Sequence, residues 1–215
     1  MLETLAFPRI GCHPLGLYPI VNDSVQLAQL LPLEIKLIQL RIKNTQGPDL
    51  EKQIQQSIQL ASRFATKLFI NDYWELAIRY GAYGVHLGQA DLKNAPIHKL
   101  HQLGLKLGIS AYSDAELVRA CALKPSYIAY GPIFPTTSKQ MTASAQGIDK
   151  LRQVREWVKD PLIAIGGISL EQLPQVLRCN VDGVAVISAI NQAIDPQKAA
   201  EKLMDVIQHH YAPVS

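Results

Sequence analysis

From Gly16 to His210 the chain alternates short runs rich in Ile, Val and Leu with amphipathic stretches of helical length, and few folds accept such a pattern. Strands are expected at about 16–21, 37–43, 68–72, 84–88, 106–111, 127–134, 162–167 and 183–188, each followed by a helix. Ile128-Ala129-Tyr130-Gly131 and Leu162-Ile163-Ala164-Ile165-Gly166-Gly167 lack polar alternation, as strands covered on both faces do. Eight such units favour an α/β fold of one kind, a single (β/α)8 TIM barrel. An open doubly wound sheet is the alternative. It would more often carry a glycine-rich dinucleotide turn after the first strand, where this chain has Asn22-Asp23-Ser24.

At 215 residues, 48% of them hydrophobic, the chain can bury a large core and is expected to form one domain over 1–215, with 1–15 as an N-terminal leader in which Pro8 and Pro14 oppose a long helix. The net charge of +3 is scattered, without the basic stripe that a nucleic-acid groove needs. Cys12, Cys121 and Cys179 are widely spaced with no CxxC, which fits reduced thiols in a cytoplasmic protein better than a disulfide frame or a zinc site. Cys12 is adjacent to His13 in sequence only, whereas nucleophile and base normally meet through the fold. The acidic opening Met1-Leu2-Glu3, with no long apolar run after it, does not read as a secretory signal, and nothing reads as a membrane span. The oligomeric state is left open.

In a barrel, chemistry collects beyond the C-terminal ends of the strands. Asn71-Asp72 and Asp91 would follow strands three and four, so two carboxylates could share a Mg²⁺; the competing role for Asp72 alone is a cap for the next helix. Gln39, Arg41 and Lys43 alternate along strand two, and two cations on an inward face call for an anion, unless they merely emerge into solvent. His86 points to a ligand or is satisfied by a backbone carbonyl. Ser110 ends strand five. Gly131 to Lys139 offers hydroxyls and an ammonium, and the stretch from Pro135 to Gly147 is long enough to be a functional lid. Gly166-Gly167 and Ile187-Ser188 sit where barrels often bind a phosphate, although a Gly-Gly pair can also be just a tight turn. Two anion sites, one beside a metal, point to transfer between two phosphorylated small molecules.

The chain resembles the thiamine-phosphate synthase family from Gly16 to about Ala193. The likeness is carried by Gly16-Leu17-Tyr18-Pro19-Ile20-Val21, Gln39-Leu40-Arg41-Ile42-Lys43, Ile70-Asn71-Asp72, Gly84 to Asp91, Gly131 to Lys139, Ile165-Gly166-Gly167-Ile168 and Val186-Ile187-Ser188-Ala189-Ile190. The resemblance implies a (β/α)8 barrel that joins hydroxymethylpyrimidine diphosphate to a thiazole phosphate, or its 2-carboxy form, with Mg²⁺ as cofactor, giving thiamine monophosphate and pyrophosphate. It implies Asp72 and Asp91 as metal ligands. It implies Gln39, Arg41, Lys43, Asn71, Ser110 and Lys139 as contacts to the pyrimidine diphosphate, with Arg41, Lys43 and Lys139 assisting departure of the leaving group. Thr136, Thr137, Ser138, Gly167, Ile187 and Ser188 then resemble the thiazole-phosphate contacts.

Three positions depart from the family pattern. Ile42 replaces a frequent Glu but alternates away from the Gln39 face, Ser138 keeps the hydroxyl of a usual Thr, and Ala111-Tyr112 stands where Thr-His is common. A thiazole tautomerase-like homologue and a non-catalytic phosphate-binding barrel are the alternative readings.

Overall fold

The computed structural model describes residues 6–136 and 144–212. Its strands are β1 (Gly16–Val21), β2 (Leu37–Leu40), β3 (Lys67–Asn71), β4 (Gly84–Leu87), β5 (Lys106–Ala111), β6 (Tyr127–Tyr130), β7 (Leu162–Ile165) and β8 (Gly183–Val186). They pair in chain order as a closed barrel, and β1 meets β8 in parallel register from Gly16 opposite Gly183 to Pro19 opposite Val186. Closure excludes the open-sheet alternative.

Alternating side chains divide into two apolar layers. Val21, Ile38, Leu40, Ile70, Val85 and Leu107 face the surrounding helices, with Leu27, Ile54 and Leu117 against them. Tyr18, Ile20, Leu37, Phe69, Tyr127, Ala129, Ile163 and Ala185 form a second cluster inside the barrel. There the rings of Tyr18, Phe69 and Tyr127 meet edge to face, with centroids 5.2–6.1 Å apart. The described part of the leader contains no helix; its Ile10 and Leu15 are buried in the same interior cluster, so this stretch caps the barrel rather than trailing from it.

Glycine makes the aromatic filling possible. A Cβ at Gly108 would lie 2.1 Å from the Tyr127 ring, and one at Gly84 would lie 2.5 Å from Phe69. Gly108→Ala is therefore expected to lower unfolding free energy by about 1–3 kcal/mol through overpacking, read from urea denaturation. Unchanged stability would show that the ring has room to move.

Several strands end earlier than the sequence suggests. β2, β6, β7 and β8 stop at Leu40, Tyr130, Ile165 and Val186, because the chain leaves the ladder to build the loops at the barrel mouth. Gly166 and Gly167, with φ of +98° and +66°, make one such exit. After β4 the expected single helix is two short ones, Gln89–Leu92 and Ile97–Gln102. The last helix runs Pro196–Tyr211, capped by Asp195 accepting from Lys198 N as its sequence implies. Among the described residues no helix is long and apolar enough to cross a membrane.

Candidate active site

Gln39, Arg41 and Lys43 climb outward along one line. Gln39 is buried inside the barrel, Arg41 is half-buried just past the end of β2 with its N–H still donated to Val21 O, and Lys43 is exposed. Ile42 turns the other way into the strand–helix layer, as alternation requires. Lys43 does not merely emerge into solvent. Its Nζ lies 2.5 Å from Asp72 Oδ2. Gln39 gives its amide hydrogen to Tyr18 Oη at 3.3 Å.

Asp72 is not the helix cap that one reading of the sequence allowed. The helix Trp74–Arg79 has Tyr73 in the capping position with no side-chain cap bond. Asp72 instead adopts a left-handed conformation, φ +64°, held by its N–H to His86 O at 3.0 Å and by its own carbonyl, which accepts from Trp74 N. Such a conformation is strained for a residue other than glycine, and aspartate is among the few that tolerate it. The turn frees the carboxylate to reach Lys43 on one side and Asp91 on the other. Asp91 lies in the short helix after β4, and its carboxyl is pushed above the usual carboxylate range by burial first and by the neighbouring Asp72 next, with Lys43 opposing. Two carboxylates within hydrogen-bonding reach, one already disfavoured as an anion, form a donor pair whose repulsion a divalent cation would relieve. Among the described residues no cluster of three or more such ligating side chains exists. A pair of carboxylates is the protein share of many Mg²⁺ sites, in which water and phosphate fill the remaining positions.

Asn71 is buried at the end of β3, and its register partner on β4 is His86. His86 is satisfied by side chains: Nδ1 lies 2.8 Å from Tyr127 Oη and Nε2 lies 2.8 Å from Ser110 Oγ. Ser110 is thus presented from below. Gln89 holds the strand end from above, donating to Ser110 O at 2.8 Å.

On the far side of the mouth, Thr136, Gly166, Gly167, Ile187 and Ser188 line one cavity, and Ser188 opens a single helical turn, Ser188–Asn191. Gly167 is more than a turn residue. A Cβ there would lie 2.5 Å from Pro135 O and 2.7 Å from Phe134 O, so its bareness lets the β6 and β7 loops meet. The returning end of the long β6 loop is pinned by Gln146 N and Gly147 N, which donate to Pro132 O and Ile133 O. Thr137, Ser138 and Lys139 lie outside the described residues. His13 faces Asp182 at 3.5 Å, at the opposite end of the barrel, so the Cys12-His13 pair takes no part in this site.

Two contributors escaped sequence reasoning, and a third, Tyr112, is marked there only as a departure from the family pattern. Tyr18 and Tyr127 occupy inward positions of β1 and β6 where a phenol inside a barrel must find a partner, and strand parity alone could have flagged them. Tyr112, following Ser110 and Ala111, lines the Gly167 cavity, which only the curvature of the barrel brings near β5.

The sequence pattern of thiamine monophosphate synthases matches residues 17–190. The chain belongs to this family. It is 49% identical over 208 residues to the thiamine-phosphate synthase of Yersinia pseudotuberculosis, covering 96% of each chain. It is 47% identical to the thiamine-phosphate synthase of Serratia proteamaculans, over 95% of this chain and 97% of that one. The structure superimposes on the thiamine phosphate pyrophosphorylase of Pyrococcus furiosus with a TM-score of 0.82 and 31% identity, covering 93% of this chain and 98% of that one. As a member of the thiamine-phosphate synthase family the chain is a transferase. A 3-hexulose-6-phosphate synthase from Salmonella typhimurium, 18% identical with a TM-score of 0.68, shares the barrel fold.

Proposed function

We propose that the mouth of the barrel joins a pyrimidinylmethyl diphosphate to the ring nitrogen of a thiazole phosphate, forming thiamine monophosphate and releasing pyrophosphate. The observation that carries this reading is the division of the mouth into two unlike halves. Around β2 to β4 lie two cations and two carboxylates; around β7 and β8 lie close-packed glycine backbone and hydroxyls. A diphosphate suits the first half and a monophosphate the second.

Asp72 and Asp91 would hold a Mg²⁺, which when bound neutralises charge on the departing diphosphate. The chain's own residues do the rest. Arg41, which makes no ion pair among the described residues, and Lys43 supply fixed positive charge to the diphosphate, with Lys139 as a third cation by resemblance. Asn71 and Ser110, buried near the ends of β3 and β5 on either side of β4, orient the pyrimidine, and Gln39 supports them from within the barrel. Thr136, Gly167, Ile187 and Ser188, together with Thr137 and Ser138, hold the thiazole phosphate so that its nitrogen faces the pyrimidine methylene. Carbon–oxygen cleavage at that methylene sends the bonding pair to the diphosphate, and the thiazole nitrogen supplies the pair for the new carbon–nitrogen bond. No protein nucleophile is needed, and orientation of two bound partners replaces a bimolecular encounter.

The cytoplasm is the proposed compartment, consistent with the free thiols of Cys12, Cys121 and Cys179. Incubating the protein with both phosphorylated substrates and Mg²⁺ should yield thiamine monophosphate, identified by mass, together with pyrophosphate. Tight binding of both substrates without product would instead identify a non-catalytic barrel, and proton exchange in the thiazole phosphate alone would identify a tautomerase.

A further inference from the structure

Beneath the mouth, five buried polar side chains from five different strands form one continuous chain of hydrogen bonds. Gln39 Nε2 donates to Tyr18 Oη at 3.3 Å, Tyr18 Oη lies 2.7 Å from Tyr127 Oη, Tyr127 Oη lies 2.8 Å from His86 Nδ1, and His86 Nε2 lies 2.8 Å from Ser110 Oγ. All five residues are at most 7% exposed. A purely structural filling of a barrel needs no such chain, since apolar residues would pack the same space without polar groups to satisfy.

Counting hydrogens gives the chain a direction. The Gln39 nitrogen can only donate. Tyr18 Oη therefore receives one hydrogen already, and the only other group bonded to it among the described residues is Tyr127 Oη. If Tyr127 also donated to Tyr18, the Tyr18 hydrogen would be buried with no acceptor. Tyr18 must then donate to Tyr127, and Tyr127, its single hydrogen still to place, donates to His86 Nδ1. An accepting Nδ1 means a ring whose hydrogen is on Nε2, and that hydrogen goes to Ser110 Oγ. The Ser110 O–H is left pointing away from His86.

We propose that Tyr18, Tyr127 and His86 are positioning residues that fix this direction, so that Ser110 meets the substrate as a hydrogen-bond donor. The substrate-facing end of this relay rests on the reading, given above, that Ser110 faces the pyrimidine diphosphate; its buried end does not. Burial raises the ionisation of both phenols well away from neutrality, so each keeps the hydrogen the relay needs. A donor at Ser110 would select an acceptor on the pyrimidine diphosphate, a ring nitrogen or a phosphate oxygen, and discriminate against an analogue that carries N–H or C–H there.

The test uses the full chain with ¹⁵N-labelled histidine, the His86 signals being assigned by their loss in His86→Gln. In the ligand-free wild type, nitrogen shifts and couplings should place the hydrogen on Nε2. In Tyr127→Phe the preference should collapse towards a mixture of tautomers. Tyr127→Phe should also lower kcat about tenfold in an otherwise wild-type chain and have no further effect when Ser110 is already Ala. Tyr18→Phe should act in the same sense, and it keeps the test decisive if Tyr127→Phe fails to fold by circular dichroism. Hydrogen on Nδ1 in an active wild-type enzyme would overturn the relay, as would an equal loss from Tyr127→Phe with and without Ser110. Failure of the wild type to form thiamine monophosphate would overturn the functional reading and the substrate-facing end of the relay together, whereas the wrong tautomer in an active enzyme refutes the relay alone.

Discussion

Asp72→Asn is expected to lower turnover by at least about 100-fold at saturating substrates, and Asp91→Asn to do the same, corresponding to the several kcal/mol that a bound metal supplies to developing charge. The neutral amide binds Mg²⁺ weakly, and the diphosphate loses its counter-charge. Asp91→Asn should be no less stable than wild type, and Asp72→Asn, which also gives up its partly exposed ion pair with Lys43, should lose at most about 1 kcal/mol. The two carboxylates repel each other, and the Asp91 carboxyl is held above its usual range partly by Asp72, so removing one of them relieves an unfavourable contact. Raising Mg²⁺ should partly rescue turnover, because the remaining carboxylate still contributes. Full activity of either variant at limiting Mg²⁺ would remove that residue from the metal site, and thermal unfolding of Asp91→Asn below wild type would show that the pair is structural.

Gly167→Val is expected to weaken binding of the thiazole phosphate by about 100-fold or more while leaving the pyrimidine diphosphate nearly unaffected. Two causes act in the same direction. Gly167 sits at φ +66°, which a β-branched residue rarely adopts, and a Cβ would lie 2.5 Å from Pro135 O, so the β6 loop must move. The displaced loop carries Thr136, which shares the cavity with Gly167 and Ser188. Gly167→Ala should show the same selectivity to a smaller degree. Calorimetric titration of each substrate separately reads this directly, with circular dichroism to confirm folding. Equal loss of both ligands in a folded variant would mean that the two anion sites are not separate, and normal binding of both would return Gly167 to a turn.

The fold was legible because its signal is periodic and repeated. Each βα unit states its own strand and helix through apolar spacing, and errors at one boundary do not propagate to the next. What differed was the helix after β4, which is two short ones, and the strand ends: β6 and β7 stop at Tyr130 and Ile165, although Ile133 and Ile168 beyond them are apolar and buried. Apolar content reports burial, and these loops are buried too.

The sequence alone determined the residue types at the mouth, because charge and glycine at strand ends are expensive or purposeless without a ligand. Asp72, Asp91, Arg41, Lys43, Gly167 and Ser188 could all be named from their place after a strand. Only the tertiary structure decided how they combine. Lys43 and Asp72 are 29 residues apart in the chain, and their ion pair depends on a left-handed turn at Asp72 that no local pattern announces. The relay beneath them joins Tyr18 to Tyr127 across 109 residues, and such a contact exists only once the sheet has closed on itself. Sequence periodicity specifies which face of a strand a side chain takes; barrel closure specifies which other faces it meets.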